Sequence, residues 1–278
     1  MRQIETIHLF PELTQELITL LRELDLSEWE KVSPIKERTV KDLVSHLIDG
    51  SLRRLAFQRD KYTSKSLKVD IKSYTDLVDY IQKLNKDWIL ITERLSPKIL
   101  IDILEYSESQ LYDFFKTLEP DNTAIFSVAW AGEDVSKNWF DIAREFTEKW
   151  HHQMQIRLAL NKSLLMDKKY IEPLYNTFML GLPYLYRDMI DYPTGETLKI
   201  TLTGNLNKSW ILEKQPDNWL LIENAEKDIN TTIEISENDA WLIFTNTDRD
   251  KEKYKKRINF IGDKDLGLKL LDFVTVMS

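Results

Sequence analysis

Apolar residues recur at helical spacing from the start of the chain to about residue 190. Leu13, Leu17, Leu20, Leu21 and Leu24 follow Pro11, which suits a first helical turn, and predict a helix over 11–24. Leu43, Val44, Leu47, Ile48 and Leu55 form the stripe of a helix over 40–60, opened by Thr39 with Asp42 three positions on, the spacing of a capping box. Leu77, Ile81, Leu84, Trp88, Ile91 and Leu95 predict a helix over 74–95, and Leu100, Ile103, Leu104, Leu111 and Phe115 one over 97–118. Pro120, Asn122 and Gly132 punctuate a loop over 119–137. A helix over 139–160 is expected after Asn138, with Asp141 as its capping partner, and another over 169–190, kinked at Pro183. Long helices with short connections argue for a bundle.

The pattern then changes. LKITLTG (198–204), SWILEK (209–214), NWLLI (218–222) and TTIEI (231–235) are short β-branched or aromatic runs between turn residues. SENDAWLIF (236–244) opens with a Ser-x-x-Asp cap, KRINFIG (256–262) reads as a strand, and DKDLGLKLLDFV (263–274) as a closing helix. Four of the seven glycines lie beyond residue 190, and DYPTGET (191–197) has the composition of a linker. The expected organisation is an up-and-down helical bundle over 1–190, then a small α+β domain with an antiparallel sheet over 191–278.

Composition narrows the chemistry. The chain has 278 residues and no cysteine, which excludes a disulfide framework, a Cys-ligated zinc site and a protein thiol nucleophile. The net charge of −8 argues against a nucleic-acid partner, and the charged run DRDKEKYKKR (248–257) reads as a solvated loop. No apolar stretch suits a membrane span or a secretion signal, so a cytoplasmic protein without a membrane partner is expected.

Candidate chemistry rests on the four histidines, His8, His46, His151 and His152. Glu148 and His152 are spaced i, i+4 and share a helix face, so a carboxylate and an imidazole can grip one ion. His46, on the second long helix, can be brought opposite them in a bundle. Two histidines and a carboxylate leave a coordination position open, the arrangement of a catalytic zinc site. His151 lies nearer the apolar arc of the same helix and is the competing ligand. The stripe of Asp141, Glu145, Glu148, His152, Gln155 and Ala159 is either a plain solvent face or, since it carries no Lys, the wall of a wet cavity. Ser45 and His46 point to different helix faces and make no nucleophile–base pair. His8 has no partner in view. Trp130, in a loop, can wall a pocket.

RTVKDLVSHLIDG (38–50) and AREFTEKWHHQMQIRLAL (143–160) resemble the two metal-ligand helices of DinB-like bundles. LKITLTGNLNKSWIL (198–212), INTTIEISENDAWLIF (229–244) and INFIGDKDLGLKLLDFVTVM (258–277) resemble the sterol-carrier-like C-terminal domain of the mycothiol-dependent maleylpyruvate isomerase family. That resemblance implies a zinc or other divalent ion on His46, Glu148 and His152, with a low-molecular-weight thiol as cofactor and a small electrophile as substrate. In such an isomerase the thiolate adds to a conjugated double bond, the resulting single bond rotates, and elimination gives the trans isomer. Trp130 and Arg249 are the candidate cofactor-binding residues, Arg249 by approximate position. Gln153, Gln155 and Arg157 stand where the family carries an Asp after its Glu-x-x-x-His, and FTNTDRDKEKYKKR lacks the family's Gly-Arg pair. The functions implied are a thiol-dependent isomerase or S-transferase, a binding or stress-response module without catalysis, or a metal-dependent hydrolase. Pairing of two copies through helix faces is a further expectation.

Overall fold

Thr39 closes its own helix. Its hydroxyl accepts from the Asp42 N–H while the Asp42 carboxylate accepts from the Thr39 N–H, so both orphan donors are satisfied and α3 runs from Val40 to Arg54. One π-helical turn, Leu55–Arg59, continues it. This computed structural model describes residues 3–35, 38–63, 74–225 and 228–276. Around α3 stand α1 (Phe10–Arg22), the short α2 (Leu26–Trp29), α4 (Tyr74–Thr92), α5 (Pro97–Phe115) and α6 (Asn138–Ala159). α3 packs on α4, α5 and α6, and α1 on α5 and α6. The stripes of α1 and α3 meet Leu100, Ile101, Leu104, Ile156 and Leu160 in one apolar cluster. Trp88 of α4 donates from its indole N–H to the Ser45 carbonyl at 3.0 Å, fixing α4 beside the middle of α3. Ile91, counted above on the apolar stripe of α4, is exposed.

Three helical expectations need correction. α6 takes Lys137 as its N-cap, with no side-chain cap. Asn138 donates instead to the Glu119 carbonyl, and Asp141 is engaged by arginines in the interior. The helix expected over 169–190 stops at Met179 (α7, Lys168–Met179), and Pro183 lies in the first turn of a separate short helix, α8 (Leu182–Leu185), so it starts a helix rather than kinking one. The charged run expected as a loop contains the short helix α10 (Lys251–Lys255), capped by the Asp250 carboxylate.

The strands are β1 (Thr197–Thr203), β2 (Lys208–Lys214), β3 (Trp219–Ile222), β4 (Thr231–Ser236) and β5 (Asn259–Ile261), with α9 (Glu237–Phe244) and α11 (Lys264–Lys269) after β4 and β5. Sheet order is β3-β2-β1-β4-β5. Three pairings are antiparallel, as expected; the central β1–β4 pair is parallel. At the start of that pair the Asn230 side-chain oxygen accepts from the N–H and hydroxyl of Thr197. Leu198, Ile200 and Leu202 alternate with more exposed residues, as a sheet with one face covered requires. Ser236 caps α9 through the Asp239 N–H, the predicted Ser-x-x-Asp start. Gly204 sits at φ +132°, where a Cβ would lie 2.5 Å from the Glu237 carboxyl carbon; that carboxylate accepts from the N–H groups of Asn205 and Leu206.

Two compact units divide the chain. The helical unit is Glu5–Ile125 with Lys137–Leu164; the other contains Phe126–Ser136 and Leu165–Met277. The sequence pattern placed residues 165–190 with the helices. Here they group with the sheet, because Tyr175 donates to the Glu237 carbonyl and Phe178 packs edge-on to Phe244. No helix among the described residues is long and apolar enough to cross a membrane.

Candidate metal centre

α6 is buried on nearly every side, although it is rich in polar residues. The stripe read above as a solvent face or a wet wall is neither along its first half. Asp141 is 0% exposed and takes a bidentate pair of hydrogen bonds from Arg54 of α3. Arg144 bridges Asp141 and Glu145, each at 3.0 Å. Lys149 reaches Glu108 of α5 at 2.8 Å and Glu145 at 3.6 Å, and donates to Ser51 at 2.8 Å. Burial would lift the Glu145 carboxyl, but Lys149, Arg144 and Arg54 outweigh it and hold Glu145 at about 2. Arg54, Arg144 and Lys149 thus balance Asp141, Glu145 and Glu108.

Glu148, one turn further on, is left over from that balance. No Lys or Arg among the described residues forms an ion pair with it; its carboxylate lies 3.7 Å from Nε2 of His152. Burial lifts its carboxyl to about 7, against the opposing pull of Arg144. Around it lie three imidazoles. The rings of His151 and His152 are 4.0 Å apart, and that of His46, from α3, meets His152 edge-on at 4.7 Å. One ligand atom from each of Glu148, His151 and His152 lies within 4.8 Å of the others. Burial, with Arg38 and Arg53 adding to it, lowers His46 to about 3; burial lowers His151 to about 4, and burial with its two neighbouring imidazoles puts His152 well below the ordinary value. All three are therefore neutral at pH 7, the form that binds metal.

Hydrogen bonds settle which ring nitrogens are free. Nδ1 of His152 faces Oε1 of the buried Gln155 at 2.8 Å; with the carboxamide oxygen turned to the ring, Nδ1 carries the proton and Nε2 keeps its lone pair. Nδ1 of His151 likewise donates to the Thr147 carbonyl at 3.0 Å. Nδ1 of His46 is buried with no hydrogen-bond partner among the described residues. The sequence placed Gln155 on the stripe with His152 and as a departure from the family pattern, but not as the partner of the imidazole; its i, i+3 spacing from His152 was the available signal. The cationic network was missed, because Arg54 and Glu108 come from other helices.

Three further candidates remain. His8 is exposed. Trp130 belongs to the second unit, where it packs edge-on to Phe178 and closely over Gly181. Arg249, also in the second unit, lines a cleft of about 180 Å³ with Ile243, Tyr254, Leu271 and Val274.

A crystal structure of the mycothiol-dependent maleylpyruvate isomerase, in a histidine-to-alanine mutant, superposes with TM-score 0.51 over 87% of this chain and 88% of that one, at 12% identity. The chain shares the fold of that isomerase. The unmutated maleylpyruvate isomerase gives TM-score 0.49 over 88% of this chain and 89% of its own, at 11% identity. A UbiJ-SCP2 ubiquinone synthesis protein aligns with 37% of this chain and 96% of its own at TM-score 0.25 and 15% identity. No protein-family model matches the sequence, and no curated protein does. In this chain the helices come first and a mainly antiparallel sheet after.

Proposed function

We propose that this chain is a metal-dependent enzyme that uses a low-molecular-weight thiol on a small electrophile, as an isomerase or S-transferase. The observation that carries the proposal is Glu148, a half-buried carboxylate with no Lys or Arg ion pair among the described residues, set against neutral imidazoles. His46, Glu148 and His152 would hold the ion. The donor types fit: two nitrogens and one carboxylate suit zinc, the His46 Nδ1 is buried with no hydrogen-bond partner among the described residues, and neutral rings bind without releasing a proton, although the ligand atoms that lie mutually within 4.8 Å are those of Glu148, His151 and His152 and do not include His46. An ion there would lower the pKa of a thiol at its open position and so supply a thiolate at neutral pH.

The chain's own residues do the rest. Gln155 orients the His152 ring, as the outer partners of metal-ligating histidines do. Glu148 supplies the negative charge that offsets a divalent ion. Arg38 and Arg53 add positive potential at His46, which favours an anionic nucleophile there. The sulfur must come from outside the chain, which has no cysteine. The fold supports a thiol, since the neighbour it resembles is mycothiol-dependent. Elemental analysis of the purified protein, with a screen of small electrophiles with and without added thiol, tests the proposal. We expect a stoichiometric divalent ion and turnover only when ion and thiol are both present. A bound ion without thiol-dependent turnover rejects the enzymatic reading, and no bound ion rejects the whole of it.

A further inference from the structure

We infer that the face of α3 from His46 to Arg53 seats the body of the thiol, and that this body carries an amide, a group that both accepts and donates a hydrogen bond. This rests on the thiol reading above and names the class of thiol. Gly50 lies in the interior of α3 without a positive φ, where glycine is among the least favourable residues. Packing does not demand it. A Cβ built there would meet nothing within 4 Å beyond its chain neighbours and its own helix backbone, whereas one at Gly181 or Gly267 would press on an aromatic ring at 2.9 or 3.1 Å. Protein interiors are close-packed, so room beside a helix whose flanking residues Asp49 and Ser51 are buried calls for a physical reason.

The polar atoms on that face supply one. His46, Asp49, Gly50 and Arg53 fall within an arc of about 100° on α3. Nδ1 of His46, Oδ2 of Asp49 and Nε of Arg53 are each buried with no hydrogen-bond partner among the described residues. Nη2 of Arg53 lies 3.0 Å from Asp49 Oδ2, which balances the charge without the geometry of a hydrogen bond, and donates to the Asn85 side-chain oxygen at 3.2 Å. A buried donor and a buried acceptor left side by side are costly unless something meets them. Together they set the chemistry. A carboxylate would satisfy Arg53 but be repelled by Asp49, and an ammonium would do the reverse. An amide serves both, its oxygen accepting from Arg53 and its N–H donating to Asp49. Gly50 lies four residues, about 6 Å, along the axis from His46, so a sulfur on the ion and an amide beside Gly50 fit within one small molecule.

Binding of two thiols to the cobalt(II)-substituted full chain, followed by thiolate-to-cobalt charge-transfer absorption, tests this. N-methyl-3-mercaptopropionamide and methyl 3-mercaptopropionate have the same length and differ by an N–H in place of an ester oxygen. We expect the amide to bind at least about tenfold more tightly, the worth of one hydrogen bond to a charged group. Gly50→Leu should hold cobalt as the wild type does and melt no lower, since leucine is the better helix former and its Cβ meets nothing, yet lose the preference. Equal binding of the two thiols by the wild type, or a preference that survives Gly50→Leu, overturns the inference and leaves the thiol reading standing. Bound cobalt with no absorption band from either thiol overturns both, as does a chain that binds no cobalt.

Discussion

Replacing Glu148 by Gln should make the metal-free protein more stable, and the gain should grow with pH. In the folded chain burial lifts this carboxyl from its ordinary 4.5 to about 7. A group raised on folding contributes its stability in the protonated form; that contribution is intact below 4.5 and lost as pH climbs through 7. The ionised carboxylate is accordingly disfavoured in the folded chain by about 3 kcal/mol at pH 8, but by only about 1 kcal/mol at pH 5. Glutamine has nearly the same shape and never ionises, so Glu148→Gln should escape this penalty. Urea unfolding with a chelator present, run on both proteins at pH 5 and pH 8, measures it. The variant should be the more stable by about 1 kcal/mol at pH 5 and about 3 kcal/mol at pH 8. With saturating zinc the order should reverse, because only the wild type gains binding energy. A stability difference that does not change with pH, or a variant less stable at pH 8 without metal, would refute the claim that Glu148 is a desolvated charge that Arg144 only partly offsets.

Arg54→Met should destabilise the helical unit by roughly 3–5 kcal/mol in denaturant unfolding, because it strips Asp141 and Glu145 of a buried partner; a loss below about 1 kcal/mol would contradict the network. Gln155→Leu should weaken zinc binding by about 10–100-fold in a competition titration while the fold seen by circular dichroism is kept. Unchanged affinity would mean that the His152 tautomer is set by something else. Gly204→Ala should cost at least about 1 kcal/mol in the second unit, since alanine at φ +132° is strained and its Cβ meets the Glu237 carboxylate. A neutral effect in thermal unfolding would show that the turn relaxes freely.

Much of the architecture was legible in residues that act locally. Thr39 and Asp42 announced the start of α3, Ser236 and Asp239 that of α9, and both caps formed as read. Period-two runs gave the first four strands to within a residue or two. The errors came where distant partners decide. Asp141 looked like the partner of a helix cap, yet Arg54, 87 residues away in sequence, claims it. The stripe on α6 looked wet because its neutralising cations lie off that face, at Arg144 and Lys149, or on α3. The parallel pairing of β1 and β4 joins segments 33 residues apart, with Asn230 bonded to Thr197 where they begin. At the candidate site, spacing placed Glu148 and His152 on one helix face, and the bundle reading set His46 opposite them, where its ring meets that of His152 at 4.7 Å. The outer contacts of Gln155 and the Thr147 carbonyl needed coordinates, since neither residue type is distinctive by itself.

The chain order of the two units has a practical consequence for anyone dissecting the protein. Phe126–Ser136 interrupts the helical unit but belongs to the other one, where Trp130 lies over Gly181 and Tyr184 approaches Gly132 closely. Neither unit is therefore a contiguous cassette. An expression fragment ending at residue 164 carries an orphaned apolar segment, and one beginning at residue 165 lacks the piece that covers Gly181. Grafting either half onto another protein, or exchanging halves between relatives, has to move an eleven-residue internal patch along with the end of the chain.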